Sequence, residues 1–104
     1  QKDLVIGNLS AKTKLETLKE FSQCLEKTAG LKADKVLNVL LEREKLGSTG
    51  IGEGVAIPHG KLKEISKLIC CFGKSVEGID FDAIDGKPLH IIFLLLTPET
   101  SAGT

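Results

Sequence analysis

The sequence predicts an α/β fold, a small mixed β-sheet flanked by helices, and three observations carry that prediction. The first half holds two stretches of helical periodicity with recognisable ends, Thr13 to Gly30 and Asp34 to Gly47. The second half holds two short apolar runs of strand length, Leu68 to Phe72 and Leu89 to Leu96. Between them, the segment from Ser48 to Gly60 carries four glycines, a short apolar strand and a histidine between Pro58 and Gly60. At 104 residues and 41% apolar, the chain reads as one domain able to bury roughly 65% of its unfolded surface without disulfides or metals.

In chain order, Leu4-Val5-Ile6 suits a short strand or extended entry, broken by Asn8 and Ser10. Thr13 and Glu16 form a capping box that starts a helix of about four turns. Its expected buried stripe is Leu15, Leu18, Phe21, Cys24 and Leu25, and Gly30 ends it. Asp34 is the expected cap of a second helix that buries Val36, Leu37, Leu40 and Leu41 and stops at Gly47. Leu68 to Phe72 reads as a strand buried on both faces, Val76 to Phe81 as a weak strand or loop, and Asp85-Gly86 as a turn. Leu89 to Leu96 is the strongest strand, apolar on both faces except at His90, and belongs in the middle of a sheet with helices on both sides. Only two helices precede it. The chain therefore reads as a domain, residues 1–104, truncated at its C-terminus with a C-terminal helical part missing, or as one whose open face a partner subunit covers.

Composition excludes several functions. Fourteen basic residues balance fourteen acidic ones, and Trp and Tyr are absent, so neither a basic field nor stacking platforms invite nucleic acid. No apolar run approaches the ~20 residues of a membrane span, and the N-terminus lacks a signal-peptide pattern, so a cytoplasmic protein without direct membrane insertion is expected. Cys24, Cys70 and Cys71 read as small buried hydrophobes in a reducing compartment.

The chemistry centres on His59. Proline before it and glycine after it constrain the backbone so that the imidazole is presented in one orientation at a strand end. A metal site would need more ligands than the one other histidine, thirty-one residues away, supplies, so no metal and no cofactor is expected. A structural histidine satisfying nearby backbone groups is one reading. A phosphoryl acceptor is the other, because it needs only one unhindered ring nitrogen, and an imidazole near neutral pH mostly keeps a lone pair. The product would carry close to two negative charges and would call for a nearby cation and backbone N–H donors. Arg43, in the last turns of the second helix, and the glycine-rich segment are the candidates; Arg43 also has a structural justification, since a cation suits a helix C-terminus.

Arg43-Glu44, Ser48-Thr49-Gly50-Ile51-Gly52, Val55-Ala56-Ile57-Pro58-His59-Gly60, Gly78-Ile79-Asp80-Phe81-Asp82 and Asp85-Gly86-Lys87-Pro88 together resemble the enzyme IIA domains of the fructose/mannitol/nitrogen-regulatory type, from the bacterial phosphoenolpyruvate-dependent phosphotransferase system. The resemblance covers nearly all of the chain after residue 10. It implies an α/β fold and a phosphotransferase component in which His59 takes phosphate from the phosphohistidine of a small histidine phosphocarrier protein. His59 would pass it to an EIIB component or hold it as a regulatory mark that alters binding to regulatory target proteins, the nitrogen-regulatory form being favoured over sugar transport. Arg43 matches an arginine beside the active site, and Thr49, Gly54 and Gly60 become phosphate-loop candidates. One departure stands out: the family carries a second active-site histidine shortly after the strand matching Leu89 to Leu96, and none follows here. His90 is not its equivalent and reads as structural. The alternative from a different class is a non-catalytic α/β protein-interaction domain with a structural His59.

Overall fold

The computed structural model describes residues 2–99 as a six-stranded mixed sheet with two helices. The elements run β1 (Lys2–Asn8), α1 (Lys14–Ala29), α2 (Ala33–Glu44), β2 (Gly50–Gly52), β3 (Val55–Ala56), β4 (His59–Leu62), β5 (Ile69–Ile79) and β6 (Leu89–Pro98). The strand order is β1-β5-β6-β3-β2. β4 follows β3 along the same side of β6, because Val55 pairs with Ile91 and His59 with Leu95. The central place expected for the strand after Leu89 is the one β6 occupies, antiparallel to β5 and parallel to β3 and β4.

Helix α1 begins as its capping box dictates, with Thr13 extended at φ −127° and its hydroxyl accepting from the Glu16 N–H at 3.3 Å. The Glu16 carboxylate returns the bond to the Lys12 N–H, one residue before the cap. Gly30, in the left-handed region at φ 72°, ends the helix. The buried stripe is rotated from the expected one: Leu18, Phe21 and Leu25 are buried, Leu15 is 45% exposed, and Thr17 and Ser22 lie inside. Those two hydroxyls are affordable in the core because each donates to the carbonyl four residues earlier, at 2.7 Å. Asp34 is not the cap of α2. Lys32 takes that position without a side-chain bond, and Asp34 sits in the first turn, where a carboxylate still suits the positive end of the helix.

Both helices pack on one face of the sheet. Leu18, Phe21, Leu25, Val36 and Leu40 close over Cys71, Ile92, Leu94 and Leu96, all essentially inaccessible. β5 is longer than expected and runs unbroken through Gly73 to Ile79. It alternates rather than being buried on both sides: Ile69, Cys71 and Gly73 face the helices, while Cys70 and Phe72 are half-buried on the other face. Burial pushes the Cys71 thiol up to about 12, so it is an inert core residue. The face away from the helices keeps Val5 75%, Ile91 37% and Phe93 44% exposed, and the Phe72 and Phe93 rings meet there at 5.1 Å. The two-sided helical cover expected of β6 is thus one-sided among the described residues. Residues 100–104, where the family pattern continues toward its second histidine, lie outside them.

Gly73 explains how closely α1 approaches. A Cβ there would lie 3.0 Å from both Phe21 Cζ and Leu9 Cδ1, in a core with no slack. Gly73→Ala should therefore destabilise the fold by about 1–3 kcal/mol. Chemical denaturation checks this: the midpoint should fall with an unchanged m-value, and an unchanged midpoint would show that the core yields at that point.

Candidate functional site

The site lies on β4, an edge strand whose alternation separates two tasks. Gly60 faces the helices and His59 faces the open side, since it is registered against Leu95. Pro58 anchors the strand's entry, its carbonyl accepting from the Leu95 N–H at 2.9 Å. Gly60 has an ordinary negative φ, so the freedom expected of it is not backbone freedom. It is space: a Cβ would sit 3.1 Å from Val39 Cγ2. Val39 seats α2 against β4, and Arg43, one turn further along the same helix face, is carried to the imidazole.

The histidine ring is exposed and fixed at both nitrogens. Nδ1 lies 3.0 Å from the Ile57 carbonyl, which can only accept, so Nδ1 carries the proton. Nε2 lies 3.1 Å from Arg43 Nε, whose N–H can only donate, so Nε2 presents its lone pair. The two partners require the same tautomer. Arg43 is held in turn by donating from Nη1 to the Gly47 carbonyl at 3.0 Å.

A second set of groups lies behind the ring. Thr49 is buried, its N–H donating to the Glu44 carboxylate at 3.1 Å and its hydroxyl donating to the other carboxylate oxygen. The Thr49 carbonyl accepts from the Ile57 N–H at 3.0 Å. Glu44 is 4% exposed and pairs with Lys14 Nζ at 3.0 Å. Reasoning from the sequence passed over Glu44 and Lys14 as working residues, although a signal was present: an acid in the last turn of a helix sits at the wrong pole of the dipole and needs a compensating partner.

The structure brings Arg43, His59 and Gly60 together, and places Thr49 one backbone bond behind them. Gly54 is elsewhere. With Glu53 it makes the two-residue turn between β2 and β3, both in the left-handed region at φ 57° and 76°, as a hairpin of this length requires. Its carbonyl accepts from the N–H groups of His90 and Ile91, four residues of β6 away from the His59 register, or about 13 Å. The glycine-rich stretch thus builds a hairpin more than a cradle around the ring. His90 Nδ1 lies 2.8 Å from the Ser75 carbonyl, and its ring packs beside Gly54 and Gly78. No group of three metal-ligating side chains occurs among the described residues.

The sequence model of the family described as phosphoenolpyruvate-dependent sugar phosphotransferase system, EIIA 2, matches residues 1–103. The chain belongs to this family. A nitrogen regulatory protein of Bradyrhizobium diazoefficiens is 40% identical over 97 residues, which is 93% of this chain and 63% of that protein. The fructose-specific EIIA component of Haloferax volcanii is 49% identical over 65 residues, 62% of this chain and 42% of that one. The crystal structure of the nitrogen regulatory protein IIA-Ntr from Neisseria meningitidis superposes with a TM-score of 0.84 at 40% identity, covering 96% of this chain and 68% of that one. The chain thus spans less than two thirds of the length of these two relatives. The mixed sheet with two helices is shared with the IIA-Ntr structure and with the crystal structure of IIA mannitol from Escherichia coli, which superposes with a TM-score of 0.76 at 25% identity over 94% of this chain and 71% of that one.

In this EIIA chain the nitrogen spectrum of His59 should show a pyrrole-like Nδ1 and a pyridine-like Nε2 at slightly alkaline pH. Gly60→Ala should displace α2 by a few tenths of an ångström, lengthen the Arg43 contact and broaden or shift the Nε2 signal. A Gly60→Ala spectrum identical to the parent would mean that Val39 gives way without moving Arg43.

Proposed function

We propose that the chain is the phosphoryl-accepting part of a cytoplasmic phosphotransferase component, and that His59 Nε2 is the acceptor. What carries the proposal is the paired contact at the ring: the Ile57 carbonyl at 3.0 Å holds the proton on Nδ1, and Arg43 at 3.1 Å marks Nε2 as the unprotonated nitrogen. The Nε2 lone pair attacks the phosphorus of a phosphohistidine on a small phosphocarrier protein. The donor's N–P bond breaks, its electron pair returns to the donor imidazole, and a new N–P bond forms on His59. The imidazole keeps its Nδ1 proton throughout, and the Ile57 carbonyl stabilises the positive ring that the N–P bond creates. Such a transfer depends on positioning and charge stabilisation, and Arg43 supplies both by turning its N–H groups from Nε2 to the phosphoryl oxygens.

The open, exposed setting of the ring suits transfer between two protein surfaces. The phosphoryl group then passes to an EIIB component, or stays as added charge that alters binding to regulated proteins. A fructose-specific EIIABC component of Bacillus subtilis aligns along the same 93% of the chain at 35% identity, against 40% for the nitrogen regulatory protein, and that difference favours the regulatory role. A purely structural His59 is not favoured, because its ring is exposed and its Nε2 meets a guanidinium where no backbone group needs it. No helix among the described residues is long and apolar enough to cross a membrane.

Incubation with labelled phosphoenolpyruvate, enzyme I and the phosphocarrier protein should give an acid-labile, base-stable phosphate on the protein. His59→Ala should abolish it, and undiminished labelling would overturn the assignment. Arg43→Ala should slow labelling by about 10- to 100-fold, the worth of a charge-assisted hydrogen bond of 1.5–3 kcal/mol. Arg43→Lys should recover only part of that rate, since an ammonium cannot present the same planar pair of donors.

A further inference from the structure

We infer that Glu44 is a positioning residue for His59, acting through Thr49 and Ile57, with Lys14 as its counter-charge. The inference rests on the carrier reading for its catalytic consequence, but its geometry stands apart from that reading. Glu44 is placed against two costs at once: its side chain is 4% exposed, and it lies in the last turn of α2, at the negative pole of the helix. A buried carboxylate persists there only if it is paired and fully hydrogen-bonded. Lys14 Nζ at 3.0 Å, the Thr49 N–H at 3.1 Å and the Thr49 hydroxyl supply those partners. Lys14 is itself mostly enclosed, 19% exposed and 5.1 Å from the Phe81 ring centre, so the pair ties the start of α1 to the end of α2 and to the loop before β2.

From Thr49 the connection runs directly to the imidazole. The Thr49 carbonyl takes the Ile57 N–H at 3.0 Å, and the Ile57 carbonyl takes the proton of His59 Nδ1 at 3.0 Å. The group that selects the histidine tautomer is therefore oriented by the residue that Glu44 clamps. Adjacent residues of one helical turn thus grip the ring from its two sides, Arg43 at Nε2 and Glu44, through two intermediates, at Nδ1. A carboxylate suits this better than an amide, because it accepts from both Thr49 donors and offsets Lys14 at the same time.

Three variants of the protein test the inference by two readouts, the His59 tautomer from its nitrogen shifts and the rate of labelling by the phosphocarrier protein. Glu44→Ala should turn the single Nδ1–H tautomer into a mixture and slow labelling about tenfold. Glu44→Gln, which keeps the shape and can still bond both Thr49 groups, should retain the tautomer and most of the rate. Thr49→Val, which leaves the Glu44–Lys14 pair intact, should shift the tautomer in the same direction as Glu44→Ala but less. A purely structural Glu44 would lower the melting temperature of Glu44→Ala and leave the tautomer unchanged; that outcome overturns the inference. If Glu44→Ala does not fold, Thr49→Val decides, and an unchanged tautomer in it overturns the inference too. Should the parent protein take no label, the carrier reading fails, while the tautomer measurements still decide the role of Glu44.

Discussion

The arrangement depends on one close approach, Val39 of α2 onto Gly60 of β4, with a Cβ at Gly60 only 3.1 Å from the valine methyl. Everything at the site is measured from that contact. The helix axis fixes where Arg43 stands one turn later, and β4 fixes where His59 stands one residue earlier. A guanidinium on a flexible stem loses about 2 kcal/mol of rotamer freedom when immobilised. Here Arg43 is held at both ends, by the Gly47 carbonyl at 3.0 Å and the imidazole at 3.1 Å, so that loss is met on folding.

The position of β4 at a sheet edge makes this geometry possible. Side chains alternate across a strand, so Gly60 and His59 point to opposite faces, and the helices occupy only one. In an interior strand, a residue from the helical layer could not reach an imidazole on the far face without crossing the sheet. At the edge, Arg43 reaches around β4 and meets the ring from the side. The ring then shares its face with half-buried Leu95 and Phe72 and with exposed Phe93.

Much of this was legible in the sequence, and for definite reasons. The capping box at Thr13 and the left-handed stop at Gly30 are local, so α1 could be placed almost to the residue. Leu89 to Leu96 reads as central because only His90 interrupts its apolar run, and β6 is central. What failed were judgements that depend on neighbours. Leu15 is apolar and in phase, yet exposed, because Thr17 and Ser22 satisfy their hydroxyls within the helix and can take the inner position. Gly60 reads as a backbone device and is a spacing device, which only the position of Val39 reveals. The glycines of the Ser48–Gly60 stretch look like one loop around a phosphate. They divide instead between a tight hairpin at Glu53-Gly54 and a seat for α2 at Gly60, and that division depends on pairing with β6, more than thirty residues away.

Arg43 and Glu44 are neighbours in sequence, yet their side chains reach different partners. Successive helical residues project about 100° apart, so from one turn the cation reaches the edge strand while the anion turns inward to the loop. Their opposite signs are not a pair cancelling each other. Glu44 is neutralised by Lys14 from α1, at 3.0 Å, which leaves the Arg43 charge directed at the imidazole. Were Glu44 to bind Arg43, the guanidinium would be drawn from Nε2 and the positive field at the ring would be lost. The lysine at the start of the first helix thus bears on a histidine forty-five residues later: it engages the carboxylate that Arg43 would otherwise meet, and Arg43 stays on the imidazole.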